Sequence, residues 1–127
     1  MDARVATVID LMHHLMGEEL SVRSLSRTVN LSPSRLRQLF NKETGRSPAE
    51  FLRSVRLERA EHLLRTTFLS IKEVAFLSGA NDVSHFVRAF KKRYAITPTH
   101  FRARNGPTAS PLGLTPVARR PRVYRSG

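Results

Sequence analysis

FNKETGRSPAEF, residues 40–51, returns as FKKRYAITPTHF at residues 90–101, a fixed offset of 50 positions. Both stretches keep a Phe, a Lys two residues later, a Ser/Thr-Pro pair and a second Phe. A Ser or Thr followed by Pro favours a helix start, because the hydroxyl caps free N–H groups and Pro fits the first helical position. The repeat therefore predicts two related helical units.

The repeat continues upstream of these two stretches. Phe86 matches Leu36 at the same offset of 50. Val74-Ala75 matches Leu25-Ser26 at an offset of 49, so the second copy has one extra residue in its turn. Each copy thus consists of a short helix, a tight turn, a second helix and a Ser/Thr-Pro helix start.

This order is typical of a helix-turn-helix. Such a unit needs a small residue where its helices cross and a turn residue that tolerates left-handed backbone angles. Ser26 and Asn30 meet these needs in the first copy, and Ala75 and Gly79 meet them in the second.

The periodicity of the whole chain predicts an all-α fold. Apolar residues at helical spacing are bounded by capping residues, and no stretch alternates as a strand does. The predicted elements are a first helix over 4–16, a helix-turn-helix over 21–45, a long linker helix over 48–66, a second helix-turn-helix over 70–95 and a last helix over 98–104. These amount to seven helices in one domain, residues 1–104.

Composition limits the partner class. The chain has 22 Lys and Arg against 10 Asp and Glu, a net charge of +12, which favours a polyanionic partner. Charge alone leaves a membrane surface or a ribosome open. No apolar run is long enough to span a bilayer, and the absence of Cys removes disulfides and thiolate sites and fits a reducing cytoplasm.

The last 23 residues differ from the rest. Residues 105–127 contain four Pro, four Arg and no acidic residue, which predicts a disordered basic tail. It is interpreted as a linker or as a source of nonspecific DNA affinity. Without those four arginines, residues 1–104 keep 18 basic against 10 acidic residues, so the predicted domain is itself basic.

The second helix of each helix-turn-helix is the candidate DNA reader. Only the major groove admits a helix and shows a distinct pattern for every base pair. The two predicted recognition helices span about 32–44 and 82–94. Their expected outward positions are Ser34, Arg35, Arg37, Gln38, Asn41 and Lys42 in the first and Val83, Ser84, His85, Val87, Arg88, Lys91 and Lys92 in the second. Arg suits guanine, Gln and Asn suit adenine, and a valine is able to pack on a thymine methyl.

The linker helix suggests how the two readers are used. About 19 residues make a helix roughly 28 Å long, and successive major-groove faces lie about 34 Å apart. We therefore expect a monomer to contact two successive major-groove segments on one face of the duplex.

These residues resemble the DNA-binding domain of the AraC/XylS family of bacterial transcription regulators, over about residues 5–104. The second half carries the strongest motifs, SIKEVA at 70–75, Gly79, Ser84, Phe86, RAFKK at 88–92 and Thr97-Pro98-x-x-Phe101-Arg102. The first half agrees through LSP at 31–33, Leu36, Phe40, Lys42, Gly45, Ser47-Pro48, Arg56-Leu57, Ala60 and Leu63-Leu64. The chain departs from the family at Ala80, usually aromatic, at Ala95, usually Gly, and at Gln38, often basic.

The resemblance implies seven helices, base contacts from the third and sixth, and contacts with RNA polymerase at promoters. The residues expected to contact bases are Ser34, Arg35, Arg37, Gln38, Val83, Ser84, Val87 and Arg88. Those expected to contact phosphates are Ser32, Asn41, Lys42, His85, Lys91 and Lys92.

We therefore expect sequence-specific binding of double-stranded DNA and transcription regulation. The expected setting is the bacterial cytoplasm and nucleoid, with a monomer on DNA unless a sensor domain dimerises it. The alternative is a nonspecific nucleoid or RNA-associated module. An enzyme is not expected, because the five His lack ligand spacing and no nucleophile-base pair is evident, so no catalytic, cofactor or metal site is predicted.

Overall fold

The computed structural model describes residues 1–15 and 20–107. The predicted end of the first helix at residue 16, and the predicted basic tail beyond Pro107, lie outside the described residues. Within those two ranges the chain forms helices and connections and no strand, so the predicted all-α fold is confirmed. None of the described helices is long and apolar enough to cross a membrane.

Seven helices follow one another in the described ranges. They are α1 (Ala3–His14), α2 (Val22–Thr28), α3 (Pro33–Thr44), α4 (Pro48–Thr66), α5 (Ile71–Leu77), α6 (Val83–Tyr94) and α7 (Pro98–Asn105). α2 with α3 and α5 with α6 are the two predicted helix-turn-helix pairs, and α4 is the predicted linker helix. α7 ends one residue beyond its expected end. The limits of the domain itself stay a prediction.

Side chains cap the helix starts that the sequence predicts. The hydroxyls of Ser32 and Thr97 each accept a hydrogen bond from the backbone N–H three residues on, at 3.0 and 3.2 Å. Ser47 and Glu50 form a reciprocal capping box at 3.1 and 3.2 Å. A second capping box precedes α5. These bonds satisfy N–H groups that have no partner inside the helix, which fixes where each helix begins.

The described residues form two compact units, one within Met1–Arg56 and one that begins at Leu57, and each has its own apolar core. The first core contains Val5, Val8, Met12, Leu20, Leu25, Leu36, Phe40, Leu52 and Val55. The second contains Ala60, Leu64, Val74, Ala75, Phe86, Phe90 and Phe101.

The repeated phenylalanines pack in the same way in both units. Phe40 and Phe51 meet edge to face with ring centroids 5.3 Å apart. Phe90 and Phe101, 50 positions later, meet edge to face at 5.6 Å. Phe40 and Phe90 are fully buried, so these rings belong to the two cores, where such aromatic pairs add stability beyond their buried area.

α1 differs from the prediction at both ends. The Asp2 carboxylate accepts a hydrogen bond from the Arg4 N–H at 2.8 Å and starts the helix at Ala3. Leu15 has an extended backbone, and its side chain is 46% exposed. The helix predicted over 4–16 would place Leu15 on the same face as Val8 and Met12. This is wrong, because the backbone leaves the helix after His14 and the side chain no longer follows that register.

The residue that ends the recognition helix has a left-handed backbone in both units. Gly45 ends α3 with φ 77°, and Ala95 ends α6 with φ 72°. A left-handed backbone places the Cβ of an L residue close to the following carbonyl, which costs roughly 1–2 kcal/mol. The departure at Ala95 therefore places an alanine in a conformation that suits glycine.

Replacing Ala95→Gly is expected to raise the free energy of unfolding by about 1 kcal/mol, because it removes this strain. The measurement is urea unfolding followed by circular dichroism. Gly45→Ala is the matched control and should lower stability by a similar amount. No neighbouring atom lies within 4 Å of the added Cβ, so backbone strain is the only cost expected there. Equal stabilities of both variants and the parent chain would contradict this assignment.

Candidate nucleic-acid interface

The first helix-turn-helix is built on a close crossing of α2 and α3. Ser26 lies in α2 and is 1% exposed. Its hydroxyl donates a hydrogen bond to the Arg23 carbonyl at 2.8 Å, so a polar side chain is accommodated without an unsatisfied group. Leu25 and Leu36 are buried beside it. The small side chain lets the helices approach, and the leucines hold their angle.

The turn between α2 and α3 is fixed by the backbone. Asn30 has φ 59°, the left-handed conformation that the sequence predicts for it. The Leu31 N–H then donates to the Ser26 carbonyl at 2.9 Å and closes the end of α2. Asn tolerates this conformation better than most residues other than Gly.

The second helix-turn-helix has the same turn. Ala75 is 1% exposed, and Gly79 has φ 91°. The Ala80 N–H donates to the Ala75 carbonyl at 2.9 Å, which is the bond of the first turn shifted by 49 positions. Ala80 is half-buried against the second core, so the alanine in place of an aromatic residue still packs there.

The extra residue of the second copy lies in this turn. In the first unit the N-cap Ser32 comes two residues after Asn30, whereas in the second the N-cap Asp82 comes three residues after Gly79. The Asp82 carboxylate accepts hydrogen bonds from the N–H groups of Ser84 and His85 at 2.9 and 3.3 Å. The predicted insertion is therefore accommodated before α6 begins.

The first recognition helix, α3, presents a polar and cationic face. Every predicted contact residue of this helix is exposed, namely Ser34, Arg35, Arg37, Gln38, Asn41 and Lys42, as is Ser32 before it. Leu36 and Phe40 on the opposite face are fully buried. The acidic residue of α3, Glu43, is half-buried and accepts a hydrogen bond from the Asp2 N–H at 2.8 Å. The exposed face is thus suited to a polyanion.

The second recognition helix, α6, has a different surface. Ser84, His85, Arg88, Lys91 and Lys92 are exposed as predicted, and α6 contains no acidic residue.

The two valines of α6 were expected to point outward, and this is only partly right. Val83 and Val87 are half-buried and pack against the second core. They lie four residues apart, on the side of the helix that borders buried Phe86 and Phe90. Part of each valine therefore belongs to the core, and only the remainder is available to a ligand.

Each unit has one arginine that holds the start of its helix-turn-helix, a role that the sequence motifs at these two positions did not predict. Arg56 of α4 donates a hydrogen bond to the Leu20 carbonyl at 2.7 Å. Arg102 of α7 donates to the carbonyls of Leu64, at 3.3 Å, and Leu69. Leu20 and Leu69 each precede the N-cap of the first helix of their unit, at an offset of 49. Both units thus use a guanidinium to fix the entry to the helix-turn-helix.

The Arg102 guanidinium is partly removed from water. Its side chain is half-buried, and this desolvation lowers the pKa of Arg102 below its usual range. A partly buried guanidinium is tolerated where its hydrogen bonds offset the free-energy cost of removing the charge from water.

Similarity to known proteins agrees with this geometry. A family model described as a helix-turn-helix domain matches residues 25–104, more than half of the chain. A solved transcriptional regulator from Chromobacterium violaceum, described as AraC-type DNA-binding domain-containing, superposes with a TM-score of 0.74 at 28% identity, covering 82% of this chain and 93% of that one. The chain belongs to the AraC/XylS family. As such it is an AraC-type helix-turn-helix DNA-binding domain.

Two further proteins illustrate this AraC/XylS-family likeness. The Msm operon regulatory protein of Streptococcus mutans is 35% identical over 100 residues, which cover 79% of this chain and 36% of that protein. The DNA-binding domain of AdpA, a global transcriptional factor solved in complex with a target DNA, matches with a TM-score of 0.74 at 26% identity, covering 80% of this chain and 92% of that one. The chain spans about a third of the length of most curated relatives it matches.

Arg102→Met is expected to destabilise the chain by about 1–3 kcal/mol, because it removes the donor that the Leu64 and Leu69 carbonyls share. Arg104→Met is the matched control on the same helix, since Arg104 is exposed, and it should change stability by less than about 0.5 kcal/mol. Urea unfolding of the two variants measures the difference. Equal losses would show that the Arg102 hydrogen bonds contribute nothing to stability.

Proposed function

We propose that α3 and α6 each enter the major groove of double-stranded DNA, so that one chain contacts two successive major-groove segments. The observation that supports this most strongly is the repetition of one complete helix-turn-helix in each unit, with the same turn bond and an exposed second helix that carries cations. Two such readers in one chain allow a site of two half-sites to be bound without a second copy.

Base recognition is assigned to the exposed side chains of each recognition helix. Arg37 and Arg88 have the fork of donors that suits guanine O6 and N7, and Gln38 has the amide that suits adenine N6 and N7. Ser34, Arg35 and Ser84 lie on the same exposed faces. These six polar residues, together with Val83 and Val87, form the proposed base-contacting set.

Phosphate contacts are assigned to residues that flank these faces. Lys42, Lys91 and Lys92 lie in the last turns of α3 and α6. Ser32, Asn41 and His85 complete the set. Contacts of this kind fix the register of the protein on the duplex without reading sequence. The net charge of +12 adds attraction that salt weakens.

The wider role is proposed from the relatives. We propose that the chain acts at promoters, contacts RNA polymerase, works in the bacterial cytoplasm on nucleoid DNA and has no enzymatic activity. On DNA it is a monomer unless a sensor domain dimerises it. The relative named HTH-type transcriptional activator RhaS, from Enterobacter, is 30% identical over 101 residues and supports a role in transcription.

Selection of binding sites from random duplex DNA tests the proposal. The expected result is one enriched sequence with two half-sites centred about 10 base pairs apart. In competition experiments, unrelated duplexes and RNA should displace the selected duplex only weakly. Similar affinity for unrelated duplexes, or a preference for RNA, would overturn it in favour of a nonspecific nucleic-acid-binding module.

Arg37→Ala and Arg88→Ala are each expected to weaken binding to the selected duplex by about 1–3 kcal/mol and to relax preference at one base pair. The loss should be confined to the half-site of the altered helix, because the two arginines lie on different recognition helices. Electrophoretic mobility shifts on single-base variants measure this. Arg53→Ala, an exposed arginine of α4, is the control for loss of charge alone. Unchanged sequence preference in both variants would contradict the assigned faces.

Lys42→Ala is expected to weaken binding to all duplexes alike and to reduce the slope of log affinity against log salt by about one, because one fewer counterion is released. Titrations at several salt concentrations measure the slope. Lys42→Arg keeps the charge and should keep the slope. Loss of preference at a particular base would mean that Lys42 reads sequence.

A further inference from the structure

The second recognition helix carries apolar surface where the first carries charge. At the repeat offset of 50, Val87 of α6 corresponds to Arg37 of α3, and Val83 corresponds to Pro33. Arg37 is exposed, whereas Val87 is half-buried. The two units therefore present different chemistry at the same structural position.

The exposed part of this valine pair lies beside polar contact residues. Ser84 and Arg88 each follow a valine in sequence and are exposed. The valines are four residues apart, so they occupy one side of α6 about 6 Å from each other along the axis. Val87 lies three residues after Ser84 and directly before Arg88, and Val83 lies one turn before Val87, so the valine pair borders these two polar residues on the surface of α6.

The valines are held in place before any ligand binds. Both pack against the second core. A β-branched side chain in a helix has one strongly preferred rotamer, so little side-chain entropy remains to be lost on binding. The pair thus offers a fixed apolar surface at the edge of a polar face.

We propose that Val83 and Val87 read the 5-methyl groups of thymines in the half-site contacted by α6. This inference rests on the proposed function and deepens it. The thymine methyl is the apolar group that base pairs display in the major groove. Base pairs are stacked about 3.4 Å apart. Two valines about 6 Å apart are therefore able to contact thymine methyls that lie one or two base-pair steps apart. Arg88 then meets a guanine next to them.

Uracil substitution tests the proposal on the DNA side, where protein folding is not at risk. Uracil lacks only the methyl and keeps the O4 acceptor. Replacing the thymines under α6 in the selected duplex should weaken binding about fourfold per methyl, the change expected for one buried methylene-sized group. The half-site under α6 is identified as the one whose preference Arg88→Ala relaxes.

The first half-site is the matched control. The exposed residues of α3 are Ser34, Arg35, Arg37, Gln38, Asn41 and Lys42, none of them aliphatic. Uracil in place of thymine there should leave affinity unchanged.

Val87→Thr provides the protein-side test. The substitution keeps the shape of the side chain and replaces one methyl by a hydroxyl, and the readout is the ratio of affinities for the thymine and uracil duplexes. That ratio should fall towards one. Because it compares two duplexes bound by the same variant, partial destabilisation of the protein does not change it. Val87→Ala should give the same direction of change.

The possible results separate the two proposals. Absence of thymine from the half-site under α6, or equal binding of thymine and uracil duplexes while Arg88→Ala still relaxes preference, overturns the methyl readout and leaves the proposed function standing. Equal affinity for unrelated duplexes overturns both. A thymine-to-uracil loss confined to the second half-site supports the methyl readout.

Discussion

The close crossing of the two helices in each helix-turn-helix is the constraint on which the rest of the structure depends. At Ser26 and Ala75 the side chain is small enough for the helices to approach, and the turn is closed by a backbone bond back to that same residue at 2.9 Å in both units. The left-handed residues Asn30 and Gly79 make the bond possible. A bulky side chain at either crossing would push the second helix outward, since tightly packed interiors do not absorb added volume without strain.

Given this crossing, the recognition helices need only one apolar face. Leu36 and Phe40 anchor α3, and Phe86 and Phe90 anchor α6. The other face is then free to be polar and cationic without loss of packing. Short helices are only marginally stable in isolation, so tertiary packing and capping must supply their stability.

Most of the fold could be predicted because its signals are local. Caps and turn residues lie within a few residues of the elements they define. The repeat shows the same local signals twice in one chain. The structure adds what the spacing cannot supply. Helical periodicity places Val83 and Val87 on one side of α6 but does not show how far a neighbouring element covers them. Arg56 and Arg102 are polar by type, so a pattern places them at the surface, and only the folded chain brings them to the Leu20 and Leu69 carbonyls. Which bases are contacted depends on the DNA, which the sequence does not contain.

The two units are equal in architecture and unequal in chemistry, and this has an energetic consequence for the proposed DNA binding. A bidentate side-chain contact to a base discriminates by about 1–3 kcal/mol, whereas a single methyl contributes about 0.8 kcal/mol. The first unit has Arg37 and Gln38 side by side on its exposed face, while the second has Arg88 beside Val87. We therefore expect the first half-site to dominate sequence preference. The second half-site is then expected to add affinity through phosphates, one guanine contact and apolar contacts, which do not depend on direction and discriminate less between bases.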